Sequence, residues 1–243
     1  MISPLSKTLV NFVILSVFII TSFLTTPVTV SSPRDHNFNN LVAQELISDY
    51  DFYNQSLTAK SIENFLLNQP STLKNKQSAM GGVSVPIYQA IVDASISNKS
   101  TINSKILICL LEIKYYLLSS PSPSEYALTH PLGLNNIDGF HPQLIYIANA
   151  MEEAYINYSV PSSRIVSLAD NTNISLESSP NAGTFAIQSA LAIMSQNEED
   201  FYHLLTKKNN SFIATYNRYF SSKDGVAQRS QIMSTATPFL YRP

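Results

Sequence analysis

Apolar residues recur at intervals of three and four along most of the chain, the period of helices with one buried face. In 39–50 the stripe is Leu41, Val42, Leu46 and Ile47. In 58–68 it is Ile62, Phe65 and Leu66, with Thr58 or Ser61 able to cap the start and Pro70 to stop it. Gly81 and Gly82 end a polar loop, and Pro86 suits the first turn of a helix that turns Ile87, Ile91, Ala94 and Ser95 inward. Asn103 then caps 105–118, the most apolar helix of the domain. Pro121, Pro123, Pro131 and Gly133 break 119–138 into a loop, and loops of that length inside a compact domain are usually functional. Further helices are predicted over 142–158, 184–195, 198–206 and 211–220, with a Ser/Asn-rich stretch at 159–180 that reads as irregular or as a short hairpin. No strand alternation is strong. The pattern therefore predicts an all-α fold in a single domain spanning 36–222, followed by an irregular tail at 223–243.

The beginning of the chain reads differently. Lys7 precedes an apolar run over 9–24, and small and turn-forming residues follow at 25–33. The run fits the core of a signal peptide and falls short of the about 20 apolar residues of a spanning helix. Residues 1–32 are expected to be an export signal, with a membrane anchor through 9–24 as the alternative. Either way the domain is exported: periplasmic, extracellular or anchored facing outward.

Composition narrows the chemistry. Fifteen basic against seventeen acidic residues give a net charge of −2, so no basic surface advertises a nucleic acid. With one cysteine, Cys109, the chain has neither an internal disulfide framework nor a thiolate zinc cluster. The four histidines, at 36, 130, 141 and 203, show no metal-ligand spacing on one helix. No metal or other cofactor is expected. Oligomeric state leaves no signature.

Glu112 stands out, because nearly every neighbour in 106–118 is apolar or aromatic. Loss of hydration favours the neutral form of a carboxyl, and a proton donor to a glycosidic oxygen needs that property. The plainer reading is a glutamate at the polar edge of its helix, beside Lys114. A second cluster follows at 131–149. Asp138 precedes a helix that it could cap, and Gln143, Tyr146 and Asn149 recur three residues apart. Amides and a phenol along one stripe suit sugar hydroxyls, while the same amides could equally tie down the preceding loop. Asn181, Gly183 and Thr184 read as a helix entry, and Cys109 as an inert packing thiol.

The order of these segments resembles a lysozyme-like domain of exported bacterial cell-wall proteins, of the kind found ahead of LysM and zinc-metallopeptidase modules. The segments are Ile47-Ser-Asp-Tyr-Asp-Phe52, 62–69, 102–112, Pro131-Leu-Gly133, 139–149 and 181–188. The helix ending at Glu112 also looks like the catalytic helix of lytic transglycosylases, in whose register the acid falls about two positions on, at Lys114, and Tyr115 and Tyr116 replace the Ser-Gly that usually follows it. The resemblance implies a helical lysozyme-like domain and the glycan strands of peptidoglycan as the partner. Two readings follow. In one, Glu112 is the general acid of a muramidase or lytic transglycosylase, with Asp138 as the sole candidate for a second carboxylate. In the other, the domain is catalytically inactive and binds glycan or acts as a scaffold, with Asp138, Gln143, Tyr146 and Asn149 as contacts.

Overall fold

The computed structural model describes residues 40–97 and 99–221. The apolar run at 9–24 and the tail at 223–243 lie outside them.

Local chemistry sets most of the helix starts. Ser48 opens α1 (Asp49–Tyr53) by accepting from Asp51 N, and Thr58 opens α2 (Ala59–Leu67) by accepting from Ser61 N. Gly81 and Gly82 then adopt φ values of 57° and 84°. Two consecutive left-handed residues make a tight hairpin turn, and it joins strands β1 (Gln77–Met80) and β2 (Val83–Pro86) with Met80 paired to Val83. Helix α3 (Ile87–Ser95) runs straight into a second short hairpin, β3 (Ile96–Ser97) and β4 (Ser100–Thr101). Asn103 accepts from Lys105 N and caps α4 (Ser104–Tyr115). Ser124 caps α5 (Glu125–Thr129), and α6 (Phe140–Ile156) follows. Two short 3-10 turns lead into the hairpin β5 (Ile165–Ser167) and β6 (Asn173–Ser175). Asn181, Asn197 and Ser211 cap α7 (Ala182–Met194), α8 (Glu198–Thr206) and α9 (Phe212–Phe220).

The core forms around α4 and α7. Every residue of α4 from Ile106 to Ile113 is buried, and α7 is buried throughout except at Ile193. Helix α6 packs on α7 and α3, and α9 packs on α4. Each fully buried Leu or Ile here stabilises the fold by about 1.5–3 kcal/mol relative to exposure. A helix apolar on all sides is the signature of a buried element, which is why the pattern at 105–118 was so dense.

The all-α expectation is wrong. The described residues are 56% helical and 10% strand, with three small antiparallel sheets, so the fold is mixed. The strands are only two to four residues long, too short for alternation to register against the helical stripes. Boundaries shift as well. Helix α4 ends at Tyr115 because Tyr116 turns left-handed at φ 54°, and a short helix interrupts the loop at 119–138. Asp138 does not cap α6. That position falls to Gly139, at φ 102°, with no side-chain oxygen on the helix N-terminus.

Candidate functional site

Glu112 lies on the last turns of α4, 1% exposed. The left-handed turn at Tyr116 folds the chain back so that Leu118 N and Ser119 N donate to its Oε2 at 2.9 and 3.2 Å. From α9, Arg218 Nη2 and the Tyr219 hydroxyl donate to its Oε1 at 3.2 and 3.3 Å. Both oxygens are thus committed as acceptors, two donors each. Burial, with Glu112 close by, pushes the Tyr219 phenol up to about 12. Arg218 also donates to Asn209 O and lies 4.8 Å from the Tyr219 ring centre, so the knot is packed as well as bonded. Arg218 and Tyr219 had no part in the sequence reading. They stand more than a hundred residues from Glu112, and nothing in the pattern of α9 marks them.

Gln143 is 0% exposed and holds the loop before α6. Its Oε1 accepts from Leu132 N at 3.0 Å, while its Nε2 donates to Leu134 O and Ile137 O at 2.8 and 2.6 Å. All of its hydrogen-bonding capacity but one lone pair goes to backbone, and Pro131-Leu-Gly133 owes its position to that clasp.

Asp138 is the opposite case, its side chain 93% exposed. His130 Nε2 lies 3.0 Å from Asp138 Oδ1, and the imidazole stacks on Tyr126 with ring centres 4.6 Å apart. Thr129 Oγ1 sits 3.0 Å from Nδ1 of the same ring. Asp138 borders a cleft of about 280 Å³ between β1, α5 and the start of α6.

The exposed face of α6 continues from there. Pro142, Tyr146, Glu153 and Ile156 are exposed and Asn149 is half-buried, and steps of four, three, four and three keep all five on one stripe. Tyr146 is 47% exposed. Asn149 Oδ1 accepts from Ser97 Oγ at 3.2 Å, and its side chain borders a second cleft of about 300 Å³ with Lys99, Glu152, Glu153, Ile156 and Asn157. Glu152 is held there by the Tyr53 hydroxyl, 3.1 Å away. The structure therefore divides the expected residues. Tyr146 and Asn149 lie on the outer stripe of α6, Asp138 borders the cleft at its start, Gln143 turns inward, and Glu112 lines neither cleft.

Two other expected features are structural. Asn181 caps α7, and Thr184 Oγ1 accepts from Leu46 N at 3.0 Å and donates to Ile47 O at 3.1 Å. Gly183 N donates to Asp49 Oδ1 at 2.7 Å. The segments at 47–52 and 181–188 are one joint. Burial pushes the Cys109 thiol well above its ordinary range, and a buried neutral thiol is unreactive. Among the described residues no group of three His, Cys, Asp or Glu side chains could hold a metal ion.

These features belong to a helical, hairpin-trimmed domain whose family is related to the bacterial cell wall. The chain belongs to the LasA N-terminal domain family, whose model matches residues 45–233. That span takes in both α4 and the α6 stripe. Members of this LasA/staphylolytic protease domain family are typically secreted, cell-wall-related proteins. No curated protein and no solved structure matches the chain. Among the described residues no helix is long and apolar enough to cross a membrane.

Proposed function

We propose that the domain binds the glycan strands of peptidoglycan along the outer side of α6 and does not cleave them. What carries this reading is the division among the expected residues. The carboxyl expected to serve as acid is enclosed, whereas a phenol and an amide stand on an open face. A general acid must reach the leaving oxygen within about 2.6–3.2 Å. Glu112 offers both oxygens to four protein donors instead, and a substrate would have to displace Arg218, Tyr219 or the backbone at 118–119 to meet it. Asp138, the expected second carboxylate, is bonded to His130, while Glu112 is bonded to Arg218.

The α6 face has the chemistry that sugars need. The Tyr146 ring can cover the apolar side of a pyranose, and Asn149, Glu153 and Asn157 supply planar acceptors and donors for hydroxyls one or two turns on. The clefts at either end are small, near the lower limit of about 300 Å³ for small-molecule pockets. That size suits single substituents of a long polymer lying across the surface better than an engulfed ligand.

Calorimetric titration with soluble N-acetylglucosamine–N-acetylmuramic acid oligomers tests this. Wild type should bind, and Tyr146→Ala should weaken binding about tenfold, the ~1.4 kcal/mol scale of one aromatic contact. Equal affinity for wild type and Tyr146→Ala would remove α6 as the binding face.

A further inference from the structure

Asn149 is half-buried in the middle of the α6 stripe, and the β3–β4 hairpin turns its amide one way round. Ser97 Oγ donates to Asn149 Oδ1 at 3.2 Å. The same Ser97 oxygen accepts from Lys99 N at 3.4 Å and lies 2.8 Å from Ser100 Oγ. Ser100 has one proton to place, and Ser97 is nearer to it than Ala94 O at 3.4 Å. A serine hydroxyl has one proton and two lone pairs. With Lys99 N and the Ser100 proton on those lone pairs, Ser97 keeps its own proton to give and has no place for a third donor. Asn149 therefore meets it with the carbonyl, which leaves the amide N–H₂ for the cleft that Asn149 lines. Among the described residues that N–H₂ has no partner.

Glu152 stands three residues on and lines the same cleft. Its Oε1 accepts from the Tyr53 hydroxyl at 3.1 Å, and Thr101 N lies 3.5 Å from its Oε2. Burial, and then the Glu152 charge, push the Tyr53 phenol above its ordinary range, so the phenol remains the donor in that bond. The carboxylate is thus held from α1 and β4 with lone pairs to spare. Ile156, 67% exposed, follows one turn further along the cleft. A donor, an acceptor and an apolar side chain succeed one another along α6.

We propose that this cleft reads the acetamido group of an N-acetylated sugar. The Asn149 N–H₂ donates to its carbonyl, Glu152 accepts from its N–H, and its methyl lies against Ile156. The assignment rests on the glycan-binding reading above and adds the group that is recognised. Residues three apart on a helix have Cβ atoms about 5–6 Å apart, so one trans amide fits between the two side chains. A hydroxyl turns to suit either partner and gains little from a donor and an acceptor both fixed in advance. A secondary amide carries its own donor and acceptor on opposite sides and matches them. Glu152 and Glu153, which both line the cleft, repel an anionic group in the same place.

The test titrates two sugars calorimetrically into the purified protein: the N-acetylglucosamine tetramer, and cellotetraose, which has the same β-1,4 backbone with hydroxyls in place of the acetamido groups. Wild type is expected to bind the acetylated tetramer about tenfold more tightly, the scale of one or two hydrogen bonds. Asn149→Asp keeps an oxygen for Ser97 and removes the N–H₂, and should abolish most of that preference. Ser97→Ala adds no charge and frees the amide to turn round, and should lower the preference several-fold. Tyr146→Ala should weaken both tetramers alike. Circular dichroism will show that the variants fold. No binding of the acetylated tetramer, equal wild-type affinity for the two sugars, or a preference that survives both Asn149→Asp and Ser97→Ala would overturn the proposal. Equal binding of both tetramers that is lost in Tyr146→Ala rejects acetamido recognition and keeps the α6 reading. No binding of either tetramer or of N-acetylglucosamine–N-acetylmuramic acid oligomers rejects the two together.

Discussion

Glu112 brings a carboxylate into an interior made of Leu and Ile, and four hydrogen bonds offset its lost hydration. A buried carboxylate of this kind stabilises little relative to a well-packed apolar residue, but removing one partner is costly. Glu112→Gln keeps the volume yet places an amide N–H₂ against donors on one side or the other, and should cost about 1–3 kcal/mol. Arg218→Ala should cost less, about 1 kcal/mol, because Arg218 is 41% exposed and water can take its place. Urea denaturation of both variants measures the difference, and a larger loss for Arg218→Ala would mean that the ion pair outweighs the backbone amides. Tyr219 gives a second readout of the same knot. Its phenol titrates at about 12 in the folded protein against an ordinary 10.0. Between these values the unfolded chain loses its proton first, so the stabilisation is complete below pH 10 and is lost as pH rises through 12. Burial raises the phenols of Tyr53 and Tyr115 as well, so absorbance titration should show a late-ionising phase whose amplitude falls by one tyrosine in Tyr219→Phe.

At the scale of elements, the joint between the segment at 45–52 and α7 has little slack. A Cβ on Gly183 would sit 3.2 Å from Phe52 Cβ, 3.3 Å from Asp49 Oδ1 and 3.3 Å from Ile47 Cγ2. In an open helix Gly→Ala is stabilising by about 0.5–1 kcal/mol. Here the sign should invert: Gly183→Ala pushes the segment off α7 and breaks the bond from Gly183 N to Asp49, for a loss of about 1–3 kcal/mol. Thermal denaturation checks it, and a raised midpoint would show the joint to be looser than described. Elements with strong local signals were legible in the sequence. Thr58, Asn103 and Asn181 mark helix starts through a single short-range hydrogen bond each, and such bonds depend only on neighbours. The β1–β2 hairpin carried a signal too, since Gly81-Gly82 between short runs is hairpin chemistry. Helical stripes on both sides drew 77–86 into a loop instead. Asp138 as cap failed because the chain reaches α6 through Gly139 at a positive φ, a choice no spacing reveals.

At the scale of the whole molecule, the candidate site was legible as a set of residues and not as an arrangement. Gln143, Tyr146 and Asn149 sit on the helix that the pattern predicted, but a three-residue step rotates about 60° short of a full turn. The stripe therefore fans out, burying Gln143 while exposing Tyr146. Glu112, a carboxyl among apolar neighbours in the sequence, is 1% exposed in the fold. Its partners come from α9, and long-range pairings of that kind leave no periodicity. What results is a cell-wall-related family domain whose acid is locked inside and whose open side is polar and aromatic.

The most direct measurement is incubation of the purified protein with insoluble peptidoglycan, followed by sedimentation and mass spectrometry of the supernatant, for wild type and Tyr146→Ala. The account predicts that wild type sediments with the wall, that Tyr146→Ala largely stays in solution, and that neither releases muropeptides. Anhydro- or reducing-end muropeptides from wild type, lost in Glu112→Gln, would contradict it and show that the enclosed carboxyl opens for catalysis.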